Sequence, residues 1–368
     1  MVLFMMGLAR IFLVWGIIKN RCCQIKMKQL PKISIIIPVY NVEPYIAECL
    51  QSVISQTYIG EIECLLVDDC GTDKSIEIAE KLIGDYTTEN QKSKIKNQIS
   101  FHILHHDHNR GLSAARNTGT IVAAGDYVYY LDSDDYITDD CIAELARPLA
   151  EYEYDLVVGD MESFGLSRQI PRLSKRTGVV MSKEEIFNSV YGEHSIYPMA
   201  CNKLVKRSLF GINDLAFMEG QLHEDELWTY KCCSAIQSLY VQNKVTYYYR
   251  NNENSIMGTR SDNIQKRVDS HYASAVYVMS HPANINAELQ NVVNHYFAGM
   301  YLALSIQVYK NNWPQYRNLR QLMHYQPLDY WRNGQLSLSE VKHQFHYVLP
   351  PILGYLYLKL RKLKQSIR

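Results

Sequence analysis

Ile33-Ser34-Ile35-Ile36-Ile37-Pro38-Val39-Tyr40-Asn41 is the stretch whose reading decides the fold. A short, nearly continuous β-branched run ended by a proline predicts a strand buried on both faces, because a half-exposed strand would alternate with polar residues. Next along the chain, apolar Ile46, Leu50, Val53 and Ile54 fall at helical spacing and predict a helix over 43–55. A second buried strand over 63–67 ends in Asp68-Asp69, and a helix follows over 73–83. The polar stretch 85–100 reads as a loop or frayed helix end before a third strand at 101–104. Helix 112–123 and strand 127–131 complete an alternation that implies a parallel sheet covered on both faces. Ligands of such sheets sit beyond the carboxyl ends of the strands.

Lys plus Arg number 38 and Asp plus Glu 38, so the formal charge is zero. That excludes a protein-wide grip on nucleic acid. A chain of 368 residues, 47% hydrophobic, with 18 Gly and 11 Pro is neither disordered nor fibrous and has length for two to three structural units. Its nine cysteines, an odd number with no Cys-x-x-Cys spacing, read as reduced cytosolic thiols.

The two ends differ from the middle. Residues 1–18 are apolar apart from Arg10, and at about 1.5 Å per helical residue they reach ~27 Å, just short of a bilayer core. With Lys19, Arg21, Lys26 and Lys28 behind it, the extension 1–30 reads either as an anchor at the inner face of the membrane or as sequence upstream of a start at Met27. No basic leader or small-residue cleavage site marks a signal peptide. Residues 345–368 mix Leu349, Ile352, Leu353, Leu356 and Leu360 with Lys359, Arg361, Lys362, Lys364 and Arg368, without one acid. Such a segment either lies on an anionic membrane surface or packs its leucines on the domain.

Between Arg116 and Arg147 there are seven carboxylates and no Lys, Arg or His. Asp132 and Asp134 follow an apolar strand, so in extended backbone they project to one side and can share a divalent ion. Hard oxygen ligands favour Mg²⁺ or Mn²⁺. The competing reading is an Asp-rich turn capping the helix near Asp139. Asp68-Asp69 and Pro38-Val39-Tyr40-Asn41 close two further strands, and Tyr40 can stack on a base. In the small-residue helix start at 109–119, Arg116 sits one turn inside, where it can meet an acid or a phosphate. Neither a Gly-x-Gly-x-x-Gly fingerprint nor a P-loop is present. His102, His105, His106 and His108 lack a second ligand cluster and read as surface and strand-end residues. His223-Glu224-Asp225-Glu226 opens another helix, where the macrodipole favours acids whatever their role.

Five ordered blocks carry a resemblance: Ser34 to Asn41; Gln56-Thr57-Tyr58; Val67 to Asp73; Asn109-x-Gly111-Leu112-Ser113-Ala114-Ala115-Arg116-Asn117-x-Gly119; and Asp132-Ser133-Asp134-Asp135. Together they resemble the family 2 glycosyltransferases of bacterial polysaccharide type. The resemblance weakens through Asn202-Lys203-Leu204, His223 to Glu226 and Tyr249-Arg250 to Ser255-Ile256. It implies an α/β, GT-A-type fold over 31–257, a mostly parallel sheet flanked by helices. Residues 31–135 would form the nucleotide-binding half and 136–257 the acceptor half; 258–368 would be a helical C-terminal region with a basic amphipathic tail.

What the resemblance implies chemically is an inverting, metal-dependent transfer from a nucleotide-diphosphate sugar, a UDP-sugar foremost, to a hydroxyl of a glycan or lipid-linked acceptor. Pro38, Tyr40, Asn41 and Asp69 would bind the donor nucleotide, with Asp68 supporting the turn. Asp132 would meet the ribose or the metal, and Asp134 would be the principal ligand of Mn²⁺ or Mg²⁺. Arg116, Arg250 and Ser255 would also serve the donor. Asp225 would be the catalytic base with Glu224 beside it. Cys70 stands where the family has a smaller residue. A nucleotidyltransferase acting on sugar phosphates would want a Gly-rich basic loop where 38–41 stands, and a non-catalytic nucleotide-sugar-binding protein would not need the acids at 223–226.

Overall fold

A computed structural model describes residues 30–92, 99–164, 178–180, 182–212, 214–250, 264–305, 312–323, 327, 332 and 344–366. The N-terminal extension up to residue 29, the loop at 165–177 and Ser255 lie outside the described residues. Strands β1 (Ile33–Val39), β2 (Ile62–Asp68), β3 (Ile99–His105) and β4 (Tyr127–Tyr130) are parallel neighbours in the order β3-β2-β1-β4. Every residue of β1 and of β4 is buried, which is why those runs are apolar without alternation. Helices α1 (Ile46–Ile54), α2 (Ser75–Lys92) and α3 (Leu112–Val122) make the crossovers. α2 outruns its apolar pattern, because Asp85, Thr87, Thr88 and Glu89 are exposed and leave Tyr86 without a stripe to announce a helix. The carboxyl ends of β1, β2 and β4 therefore share one edge.

Beyond β4 the sheet continues with β5 (Tyr136–Ile137), β6 (Leu156–Phe164), β7 (Gly178–Val180), β8 (Lys203–Lys206) and β9 (Leu239–Arg250), in the order β8-β6-β9-β5 with β7 on β9. β8 runs antiparallel to both β4 and β6. The sheet is thus parallel in the first half and mixed in the second. β9 gave no sequence signal, because Gln242, Asn243 and Lys244 interrupt its apolar pattern and its pairing with β6 slips in register around Asp160. Helices α4 (Cys141–Ala146), α5 (Lys183–Phe187), α6 (Ser208–Ile212) and α7 (Glu224–Ala235) complete this half. Ser182 caps α5 by accepting from the Glu185 N–H (3.3 Å), and the helix widens into a π turn at Asn188–Gly192.

The last third is helical as expected: α8 (Ile264–Ser280), α9 (Ala287–Ser305), α10 (Trp313–Met323), α11 (Phe345–Val348) and α12 (Pro351–Ser366). Val268, Ala275, Val278, Val293 and Phe297 belong to the same continuous apolar core as β1. Phe297 on α9 lies against Tyr191 and Tyr230 of the sheet domain, with ring centroids 5.7 and 6.0 Å apart. Among the described residues no helix is long and apolar enough to cross a membrane. The seven described cysteines are unbridged and six are buried.

Candidate active site

At the ends of β1 and β2 the backbone is locked across the cleft. Asn41 holds left-handed backbone (φ 51°) and its Oδ1 accepts the Thr72 N–H at 2.7 Å. A Cβ on Gly71 would lie 3.0 Å from the Asn41 nitrogen, so this close approach favours glycine. Pro38 is buried within β1, whereas Tyr40, just past its end, is 46% exposed. Asp68 lies in the turn after β2: Oδ1 accepts the Cys70 N–H (3.1 Å) and Oδ2 pairs with His105 (2.9 Å). Cys70 is accommodated by turning its thiol toward the His106 carbonyl at 2.9 Å.

Asp69 is buried, and its carboxylate accepts the N–H groups of Arg110 and Gly111 (both 2.8 Å) and meets His106 Nδ1 at 2.7 Å. It fixes the start of α3, and any base contact must share this carboxylate with those amides. His106 corrects the surface reading of the histidine cluster. It is buried between Asp69 and the Thr118 hydroxyl (2.9 Å), a second partner on α3 that no local pattern announced.

The centre of the site is Arg116, 1% exposed. Nη2 donates to Asp132 Oδ1 (2.7 Å), while Nη1 donates to Glu224 Oε1 (2.8 Å) and Asp225 Oδ1 (2.6 Å). Its guanidinium also lies 5.2 Å from the Phe217 ring centre. Of the two partners the sequence allowed, the described residues supply the acid: three carboxylates meet the cation. Burial pushes Glu224 up to about 7, Asp225 adds to the rise, and Arg116 opposes both. Burial likewise raises Asp225 against the pull of Arg116. The Glu224 side chain is 5% exposed and that of Asp225 is 23% exposed, so Asp225 is the one that reaches solvent in the cleft.

Asp132 and Asp134 are half-buried while Ser133 and Asp135 are buried, the alternation expected of two carboxylates on one side. Among the described residues no group of three or more His, Cys, Asp or Glu forms a metal cage. Two carboxylates at a strand end nonetheless fit a hard ion, since Mg²⁺-type sites use one or two carboxylates and complete the shell with substrate phosphates and water.

Asp135 was missed as a functional position. Its Oδ2 accepts from the Tyr247 hydroxyl (2.6 Å) and its Oδ1 from the Arg250 N–H (2.7 Å), and burial followed by Asp134 and Asp132 pushes its carboxyl well above the usual range. It clamps the end of β9 to the acidic turn. The Arg250 guanidinium rests on Glu48 (2.6 Å) between the Tyr45 and Tyr136 rings. Asn202 and Lys203 are buried struts: the Lys203 Nζ donates to the carbonyls of Tyr197 (3.1 Å) and Met199 (2.5 Å).

A parallel first half of the sheet, an Asp-x-Asp turn at a strand end and a carboxylate pair at the start of a further helix are features of the GT-A class of transferase folds. Residues 34–211 match the family model described as glycosyl transferase family 2, so the chain carries a domain of that family. GlyA of Streptococcus pneumoniae serotype 4, a glycosyltransferase, is 34% identical over 234 residues, which are 61% of this chain and 31% of GlyA. The chain therefore spans under a third of that relative's length. Staphylococcus aureus TarS, solved over residues 1–349 with UDP-GlcNAc, superimposes with a TM-score of 0.70 at 23% identity, covering 91% of this chain and 92% of that one. The Pyrobaculum calidifontis mannosyltransferase PcManGT, solved with GDP-Man and Mn²⁺, gives 0.51 at 17% identity over 88% and 91%.

Proposed function

We propose that this protein is an inverting glycosyltransferase that moves a sugar from a nucleotide-diphosphate donor to a hydroxyl of a glycan or lipid-linked acceptor in polysaccharide biosynthesis. The observation that carries the reading is Arg116, which ties the donor-side Asp132 to Asp225 through one guanidinium and so keeps two partly exposed carboxylates at a fixed spacing. Tyr40 stacks on the donor base and Asp68 and Asp69 shape the loop beneath it. Arg250 reaches the diphosphate by exchanging Glu48 for it. Asp134, with Asp132, holds Mn²⁺ or Mg²⁺, whose charge offsets that building on the diphosphate leaving group. Asp225 accepts the acceptor hydroxyl's proton as the new bond forms. Glu224, buried beside it, keeps Arg116 oriented. UDP-GlcNAc in TarS supports a UDP-sugar as the first donor to try, and Mn²⁺ in PcManGT supports the ion.

Thermal shift against UDP-, GDP- and dTDP-sugars with Mn²⁺ or Mg²⁺ tests this. A UDP-sugar with metal is expected to stabilise by about 2.7 kcal/mol at 100 times its dissociation constant. Asp134→Ala is expected to lose the metal-dependent part while its unliganded midpoint stays put. Absence of stabilisation by every nucleotide would reject the assignment.

The same proposal puts the protein at the inner face of the cell membrane. On α12, Leu358 faces the domain (8% exposed), yet Ile352, Leu353, Leu356 and Leu360 are 57, 50, 50 and 65% exposed along the opposite face. The leucines thus divide between the two readings of this segment. With Lys359 and Arg361 nearby and no acid after Glu340, the outer face suits an anionic lipid surface. The double variant Leu353→Glu/Leu356→Glu is expected to stop cosedimenting with anionic vesicles and to keep the wild-type melting profile. Undiminished binding would remove α12 from the membrane.

A further inference from the structure

We infer that the C-terminal helices belong to the catalytic apparatus, with Tyr296 on α9 and His271 on α8 as positioning residues for the turn that carries Asp225. The inference rests on Asp225 being the base. That turn is held only weakly from within: no side chain caps α7, its backbone bond from the Glu226 N–H to the His223 carbonyl is long (3.4 Å), and its N-cap residue, His223, sits in left-handed backbone (φ 59°, ψ 41°) that a β-carbon disfavours.

Three contacts from beyond residue 260 hold it instead. The His223 ring stacks on His271 with centroids 4.9 Å apart and planes at 20°. The Leu222 N–H donates to Ser270 Oγ at 3.0 Å. The Tyr296 hydroxyl donates to Glu226 Oε2 at 2.7 Å. Glu226 directly follows Asp225, so this last bond sets the rotation of the first turn of α7. Arg116 holds Asp225 from the sheet side and Tyr296 holds its neighbour from the helical side, so the base is clamped between two bodies of structure. A base must meet the acceptor hydroxyl within hydrogen-bond reach, and a shift of about 1 Å costs on the order of 100-fold in rate. Tyr296 meets Glu226, Tyr191, His194 and Phe297, so its influence is expected on turnover and not on donor binding.

Tyr296→Phe keeps the ring packed against Tyr191, His194 and Phe297 and removes only the hydroxyl. It is expected to lower kcat about 10- to 100-fold, by displacement of the base, with donor KM, donor Kd and melting midpoint unchanged. Glu226→Gln, which still accepts from Tyr296, should retain kcat, and Glu226→Ala should reproduce the Tyr296→Phe defect. His271→Phe should retain kcat where His271→Ala loses it. An unchanged kcat in Tyr296→Phe, or a fall matched in donor Kd or midpoint, overturns the inference. Asp225→Asn, assayed alongside, separates the two ideas. If it stays active, the base assignment fails and the inference with it; if it is inactive while Tyr296→Phe turns over normally, only the positioning role is lost.

Discussion

Asp225→Asn is expected to cut kcat by at least about 100-fold and by as much as ~10⁴-fold, the range a general base contributes, while donor affinity stays within a few-fold. Asparagine fills the same space and still accepts from Arg116 Nη1, so the site keeps its shape and loses only its basicity. Release of the nucleoside diphosphate in the presence of acceptor is the measurement. The sign of the pH dependence follows from burial. A raised carboxyl pKa leaves Asp225 protonated where an ordinary aspartate would already be ionised. Wild-type kcat/KM should therefore rise with pH along a limb above the ordinary Asp value of about 3.9, and the residual activity of the variant should lack that limb. Near-normal turnover would move the base elsewhere.

Arg116→Met should be the most destabilising single change at the site. It leaves the carboxylates of Asp132, Glu224 and Asp225 converging on an apolar side chain, and removing one partner of a buried ion pair costs about 3–5 kcal/mol. The penalty is itself pH-dependent. Glu224 already stands at about 7 with Arg116 in place, and without the cation it rises further. A carboxyl whose folded pKa exceeds its unfolded value binds protons preferentially in the folded state, so stability falls as pH climbs through that window. The variant should lose more stability at pH 8 than at pH 5 in paired urea titrations, and its activity should vanish with the alignment of Asp132 and Asp225. Equal stability at both pH values would mean that the cluster is not held by charge.

Local chemistry in the sequence was enough to reveal the edge where β1, β2 and β4 end. The runs at 33–37 and 127–131 announce buried strands because burial on both faces abolishes alternation, and the Asp132-x-Asp134 spacing gains weight over an Asp-rich capping turn only from its place at a strand end. What stayed hidden depends on partners far along the chain. Arg116 and Glu224 are 108 residues apart and Asp135 and Tyr247 are 112 apart, and no window of sequence pairs them. His106 looked like one of four similar histidines until Asp69 and Thr118 were found on either side of it. Tyr296 was invisible for another reason: a tyrosine on an amphipathic helix is ordinarily core, and its hydroxyl acquires meaning only when Glu226 arrives opposite. The α12 stripe was legible as composition, but which leucines face outward depends on how the helix docks.

Phe297, seated between Tyr191 and Tyr230, bears on how such chains diversify. A transferase domain and its tail that merely abut can be shuffled freely, each recombination delivering a new acceptor or address to an old chemistry. Here the seam is a set of interlocked aromatic rings. A foreign tail would have to reproduce the ring at 297 and the hydroxyl at 296 together, or arrive with compensating changes at 191, 226 and 230. The two parts are therefore mechanically one: a change of side chain on either side of this seam is felt across it.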